Sequence, residues 1–265
     1  MSRLPRCTSY ARPVRKVLLL AVVVGLVVIA AAWWLSPGRS EEAYLACTTN
    51  RLADAPTVSG GDAPSMTLVP VAEVPQAVAV AQRPGSDSLF VAAKDGSVVV
   101  HDGSTRTVLD LSSEISTTWE QGLLGLAFSN DGQFVYVYYT DVDDDVQVAE
   151  YQVGSDDSID VATKRIVISV PQPYPTHNGG HLEMAADGTL LIGFGDGGFE
   201  DPSPNSAVGE TAQDGTSLLG SIVRIDPRPS GGDSYAIPAD NPHVGDDSVR
   251  DEILVTGLRN PWRFS

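Results

Sequence analysis

Apolar positions along the chain fall into two textures. Residues 17–35 form one unbroken run of 19 uncharged, apolar residues. As an α-helix such a run reaches about 28 Å, near the thickness of a bilayer's hydrocarbon core. It predicts a transmembrane helix over 17–35. From residue 68 onward the apolar runs become short, β-branched and aromatic, and Gly, Asp and Asn punctuate them. Strands are predicted at 77–80, 89–93, 97–100, 134–139, 146–152, 166–170, 190–194, 222–225 and 252–255. Strands of this length and spacing indicate an all-β sandwich, barrel or propeller. Between the two textures, residues 36–67 are rich in Pro, Ser, Gly, Ala and charge without apolar periodicity, and read as a flexible linker.

A loose repeat runs through the β-rich part. Asp95-Gly96, Asp131-Gly132 and Asp187-Gly188 each precede an apolar strand, at intervals of 36 and 56 residues. Asp-Gly favours the tight turns of hairpins, and each instance taken singly is a local turn. Together they suit propeller blades, whose four strands take about 40 to 45 residues.

Charge sets the expected topology. Arg3, Arg6, Arg12, Arg15 and Lys16 precede the apolar run, and only Arg39 follows it before Glu41 and Glu42. That asymmetry predicts a cytoplasmic basic segment at 1–16, a signal anchor at 17–35, an extracytoplasmic linker at 36–67 and an extracytoplasmic domain at 68–265. The protein is thus expected in the cell membrane with a single pass. Trp33 and Trp34 fall at the outer interface, where indoles are favoured. A cleaved signal peptide is the competing reading, but the run is long for one and no small-x-small site follows it closely. Tyr44-Leu45-Ala46-Cys47 resembles a lipoprotein site and stands well beyond the run. Cys7 and Cys47 fall on opposite sides of the membrane in this topology, so the domain is expected to be held by its core and not by a disulfide.

The chain carries 17 basic and 34 acidic residues, a net charge of −17, and six of the basic ones lie within residues 1–39, where no acid does. The remainder therefore has a net charge of −23. Such a surface repels nucleic acid and favours solubility and cation binding, so nucleic acid is excluded as a partner.

Candidate chemistry concentrates in one stretch: Thr176-His177-Asn178-Gly179-Gly180, a strand, then Gly195-Asp196-Gly197-Gly198. Histidine moves protons near neutral pH, and small neighbours let a flat ligand or another backbone approach closely. Taken alone, Asn178-Gly179-Gly180 reads as a turn and His177 as a solvated loop residue. His181, four residues on, has the spacing of a metal pair on a helix, but the two intervening glycines make it a strand residue. His101 and His243 sit in turn-like contexts with no evident role.

Three further segments accompany this stretch. Trp119-Glu120-Gln121-Gly122-Leu123-Leu124-Gly125-Leu126-Ala127-Phe128 comes before it. After it come Leu218-Leu219-Gly220-Ser221-Ile222-Val223-Arg224-Ile225-Asp226-Pro227, with Tyr235-Ala236-Ile237-Pro238-Ala239-Asp240-Asn241-Pro242, and Gly257-Leu258-Arg259-Asn260-Pro261-Trp262-Arg263-Phe264. In this order and spacing the four segments resemble the glucose/sorbosone dehydrogenase family, which contains soluble quinoprotein sugar dehydrogenases and the propeller part of hedgehog-interacting proteins. Each motif alone is weak and the four together are specific.

The resemblance implies a six-bladed β-propeller, incomplete here at about four to five blades by repeat length. It implies pyrroloquinoline quinone (PQQ) lying flat over the central opening, and calcium. His177 matches the family's general base, which takes the proton of a sugar hydroxyl while hydride passes to the quinone. Arg259 matches a cofactor-contacting arginine, and Asn260 its neighbour; arginine's rigid donors address carboxylate and quinone oxygens together. Quinone-binding members carry glutamine two residues before the glycine of the first motif. Here Glu120 stands at that position and Gln121 follows it. A carboxylate facing an anionic cofactor is costly unless protonated or paired, so either Gln121 takes over or cofactor use is altered. The sequence ends at Ser265, before the family's basic residues that grip the cofactor's carboxylates and the carbonyls that hold its calcium, so a C-terminally truncated sequence is expected.

Three functions are open at this point. The leading one is a membrane-anchored, outward-facing quinoprotein oxidoreductase that oxidises an aldose and passes electrons to a quinone pool or another carrier. The second is a non-catalytic propeller that binds a glycan or a protein. The third is a calcium-dependent propeller lactonase, for which Asp196, Glu200 and Asp201 offer hard oxygen ligands; an acidic surface loop is the plainer account of those three.

Overall fold

The computed structural model describes residues 69–198 and 211–265. The expected transmembrane helix at 17–35, the flanking segments 1–16 and 36–67, and Glu200 and Asp201 lie outside the described residues. Leu68–Ser265 form one of the two units into which the chain divides. Its described residues are all-β apart from one 3-10 turn at Thr211–Gln213.

Twelve strands make three antiparallel sheets of four. The first joins β1 (Ala77–Gln82), β2 (Leu89–Ala93), β3 (Ser97–His101) and β4 (Thr105–Asp110). The second joins β5 (Leu123–Phe128), β6 (Phe134–Thr140), β7 (Val146–Val153) and β8 (Ile159–Val170). The third joins β9 (Leu182–Met184), β10 (Leu190–Phe194), β11 (Ser221–Ile225) and β12 (Ile253–Thr256). In each sheet, strands that follow one another in the chain are neighbours, which is the meander of a propeller blade. The first strands converge, with β5 packed against both β1 and β9. This is consistent with part of a propeller.

All nine predicted strands are present, several with shifted ends. Four segments were not predicted: β4, β5, the first half of β8, and β9. β4 is an outer strand with mostly exposed side chains, and β9 has three residues, so neither carries much apolar signal.

The middle sheet is buried on both faces, and its sequence follows from that. Tyr136 and Tyr138 of β6 face a core shared with the third sheet, against Leu190, Ile192 and Phe194. Val135, Val137 and Tyr139 face a second core shared with the first sheet, against Phe90, Val98 and Val100. A strand covered on both sides reads as a continuous apolar run, and all six residues of β5 are buried. The β5–β6 register shifts between Leu123 and Gly125. This bulge lets Leu123 and Leu126, three residues apart, enter the same core.

The expectation of four to five blades is corrected: the described residues hold three four-stranded sheets. The residues that the repeat length would assign to further strands lie in long connections at 111–122, 171–181 and 226–252. Asn241 holds the last of these down, its Nδ2 donating to the carbonyls of Arg224 at 2.9 Å and Asp251 at 2.8 Å. The Asp-Gly repeat is likewise only apparent. Asp131-Gly132 and Asp187-Gly188 join first and second strands, whereas Asp95-Gly96 joins a second to a third.

Arginines clasp neighbouring sheets. Arg83, after β1, donates to the Gly132 carbonyl at 2.8 Å, the Gly154 carbonyl at 2.6 Å and Asp157 Oδ1 at 2.7 Å. Arg165 of β8 pairs with Glu150 and reaches the carbonyls of Ser234 at 2.6 Å and Pro227 at 2.7 Å in the β11–β12 connection.

Candidate active site

All four motifs meet where the first strands converge, and hydrogen bonds stitch them together. Gly220 of the third donates to the Gly195 carbonyl at 2.8 Å and accepts from Leu258 N–H at 2.9 Å. The Arg259 carbonyl accepts from Asp196 N–H at 2.9 Å. Asn260 Oδ1 accepts from Gly179 N–H at 2.9 Å. Glu120 Oε2 accepts from His177 N–H at 2.7 Å and from Asn260 Nδ2 at 3.2 Å.

His177 is buried, with 4 % exposure, which corrects the reading of a solvated loop residue. Its φ is +53°, a left-handed conformation that is uncommon for a side-chain-bearing residue. The Glu120 bond to its N–H and the packing of Gly195 against its carbonyl hold it there. A Cβ on Gly195 would lie 1.7 Å from the His177 oxygen. A Cβ on Gly179 would lie 2.2 Å from the Gly193 oxygen. The glycines of this stretch therefore serve the close approach of one backbone to another.

The imidazole Nδ1 lies 2.6 Å from Asp196 Oδ1, both side chains being buried. Asp196 Oδ1 also accepts from Gly198 N–H at 2.9 Å. A carboxylate only accepts, so Nδ1 is the nitrogen that donates to Asp196. Below the loop, the Tyr138 hydroxyl donates to the Asn178 carbonyl. Burial pushes that phenol well above its ordinary pKa and keeps it a donor.

Asn178 and Gly179, next in the chain after His177, line a cavity of about 350 Å³ together with Lys94, Trp119, Glu120, Asn260, Trp262, Val78 and Leu124; His177 and Asp196 themselves are not among its walls. Trp119 and Trp262 are 76 % and 51 % exposed, unusual for indoles. Asn178 is 1 % exposed, and neither polar atom of its side-chain amide has a hydrogen-bond partner among the described residues. A larger cavity, about 710 Å³, lies between β8 and the β11–β12 connection. Of its charged groups, Arg250 and Glu252 pair with each other at 2.5 Å, with Tyr235 donating to Glu252 at 2.6 Å, and Asp233 is the third. The smaller cavity is the one that the motif residues Trp119, Glu120, Asn178, Gly179, Asn260 and Trp262 line.

The structure thus brings together His177, Glu120 and Asn260 of the expected site. It holds Gln121 apart: that side chain is fully buried, accepting from Ser116 at 2.7 Å and donating to Asp144 at 3.0 Å. The Arg259 side chain is exposed and makes no hydrogen bond or ion pair among the described residues; its carbonyl is what joins the site. His181 immediately precedes β9, its carbonyl accepting from Gly193 N–H at 3.0 Å. Burial, and then the charge of Arg263, hold its imidazole below the ordinary pKa. His101 ends β3 and is not in a turn. Sequence reasoning missed Asp196 as the partner of His177, and missed Lys94, Trp119, Asn178 and Trp262 as cavity walls. The available signal for Asp196 was a lone carboxylate among three glycines directly after a buried strand.

Residues 73–263 match the sequence model of the glucose/sorbosone dehydrogenase family. The chain belongs to that family. Within the family's relatives, the HIPL2 protein of Arabidopsis thaliana is 36 % identical over 111 residues, covering 38 % of this chain and 15 % of that protein. The aldose sugar dehydrogenase YliI of Escherichia coli is 31 % identical over 148 residues, covering 53 % and 36 %. Among solved structures, a putative oxidoreductase (glucose dehydrogenase) from Thermus thermophilus superposes with a TM-score of 0.55 at 28 % identity, over 69 % of this chain and 51 % of that one. The PQQ-bound aldose sugar dehydrogenase of Streptomyces coelicolor shares the fold with a TM-score of 0.59 at 24 % identity, over 74 % and 55 %. The chain spans about half the length of these structures and less of the curated relatives.

The cavity suits a planar aromatic carboxylate such as PQQ on its own chemistry. Two indoles offer flat apolar surface, Lys94 a cation, and Asn260 and the orphaned Asn178 amide polar partners. Among the described residues no group of three or more His, Cys, Asp or Glu side chains is placed to hold a metal ion.

Proposed function

We propose that this glucose/sorbosone dehydrogenase family member is the catalytic-face part of a PQQ-dependent aldose dehydrogenase, six-bladed when whole. Its domain would stand outside the cell membrane on the 17–35 helix, and a quinone pool or other carrier would take its electrons. The observation that carries the reading is the buried His177–Asp196 pair at 2.6 Å, joined through Glu120 and the adjacent Asn178 to an aromatic-walled cavity. PQQ, when bound, supplies a two-electron acceptor for hydride. Asp196 holds the imidazole in the tautomer whose Nε2 takes the proton of the sugar hydroxyl, while the carbon bearing that hydroxyl loses hydride. Glu120 and Asn260 fix the backbone that carries His177. Lys94, Asn260 and the two indoles would hold the cofactor. Calcium, also implied by the family, enters none of these steps.

The test is reduction of an artificial electron acceptor by the chain with PQQ and calcium, across a panel of aldoses. Sugar-dependent reduction that disappears without PQQ supports the reading. His177→Ala should then abolish reduction and leave PQQ binding within about 2-fold; a variant as active as the parent removes His177 as the base.

Two observations favour a second reading, a binding propeller without catalysis. Glu120 occupies the family's glutamine position with its Oε2 committed to internal bonds, and the HIPL2 protein is among the relatives. A folded protein that reduces nothing with any sugar moves the assignment there.

A further inference from the structure

Lys94 is the cation among the residues that line the cavity. It follows β2 and is fixed at both backbone ends: its N–H donates to the Gln76 carbonyl at 3.0 Å, and its carbonyl accepts from Leu123 N–H at 3.3 Å. The side chain passes over Gly122, where an added Cβ would stand 2.7 Å from Lys94 Cγ. The ammonium therefore arrives at one place, 2.6 Å from the Trp119 carbonyl oxygen. That is one neutral acceptor for a group with three donors. Among the described residues Lys94 forms no ion pair, although the chain carries 34 acidic residues to choose from. Glu120 lines the same cavity with its Oε2 already serving two donors.

A half-buried, positionally fixed ammonium lacking an acidic partner among the described residues, in a cavity that two exposed indoles also line, is an anion site with flat apolar walls. We propose that Lys94 binds a carboxylate of a planar aromatic ligand lying against Trp119 and Trp262, and so offsets the charge of Glu120 toward that ligand. The assignment rests on the cofactor reading above and adds to it the residue that recognises the cofactor's charge.

The experiment titrates the chain with PQQ and with its trimethyl ester, which keeps the ring system and removes the carboxylate charge. Binding is read as quenching of tryptophan fluorescence. The wild-type protein should bind PQQ about 10-fold more tightly than the ester, as one charge-assisted contact provides. Lys94→Met, which keeps the aliphatic stem over Gly122, should lose that preference by weakening PQQ alone, and Lys94→Arg should keep it. Glu120→Gln should raise the preference for PQQ over the ester. Equal wild-type affinity for PQQ and ester overturns the assignment without recourse to any variant, as does a Lys94→Met protein that retains the preference. A wild-type protein that binds neither compound overturns the cofactor reading itself, and this assignment with it.

Discussion

At the scale of single residues, the site is a matter of backbone held where it would not rest by itself. His177 sits at φ +53° because a carboxylate takes its N–H and a glycine makes room for its carbonyl. Its identity as a candidate base was legible in the motif; its orientation was not, because the partner lies 19 residues away, beyond β9 and β10. Asp196 is a positioning residue for the imidazole. Asp196→Asn keeps the shape and removes the charge, so kcat for dye reduction should fall about 100-fold while PQQ affinity stays within about 2-fold. Steady-state kinetics beside a fluorescence titration checks both; an unchanged kcat would detach Asp196 from the chemistry. Gln121 shows the opposite case. In the sequence it stands next to the family position, yet adjacent residues of an extended turn face apart, and its amide is buried against Ser116 and Asp144.

At the scale of elements, turns and clasps explain much of the acidic composition. Asp95, Asp102, Asp131, Asp156, Asp187, Asp214 and Asp246 each accept a hydrogen bond from the backbone N–H two residues on, the local bond that makes aspartate a turn former. The sequence reads this excess as solubility, because a turn carboxylate and a merely solvated one look alike without coordinates. Asp157 does more. It accepts from Arg83 at 2.7 Å, Ser88 at 2.7 Å and Ser86 at 3.0 Å, joining the first sheet to the second. Burial opposes its ionisation, but the bonds from Ser88, Arg83 and Ser86 prevail and hold its carboxyl below the ordinary 3.8. The native state thus prefers the charged form. Its contribution is full above the unfolded-state value and is lost as pH falls through the lower folded-state value. Asp157→Asn should cost about 2 kcal/mol in urea unfolding at pH 7. The gap to wild type should close as the pH drops below the folded-state pKa; a gap independent of pH would assign the loss to packing instead of charge.

At the scale of the whole molecule, stability should be graded outward from the middle sheet, which alone among the three described sheets has a core on each face. Hydrogen exchange checks this. Amides of β5 and β6 should exchange about 100-fold or more slowly than those of β1, whose residues are exposed or half-buried. Equal rates would mean that the three sheets open together. The sequence by itself determined the fold class, the positions of the longer strands and the family, since alternating and continuous apolar runs, turn residues and motif order are local properties. It also placed the proton-carrying histidine. Only the tertiary structure decided that three sheets, and not four or five, occupy the described residues, because long site-building connections and additional strands take up chain length alike. It alone joined His177 to Asp196 and Glu120 to Asn260, 140 residues apart, and set Lys94 beside two indoles. Those contacts arise where the first strands of separate sheets converge, and no local pattern in the chain encodes which distant side chains will face one another there.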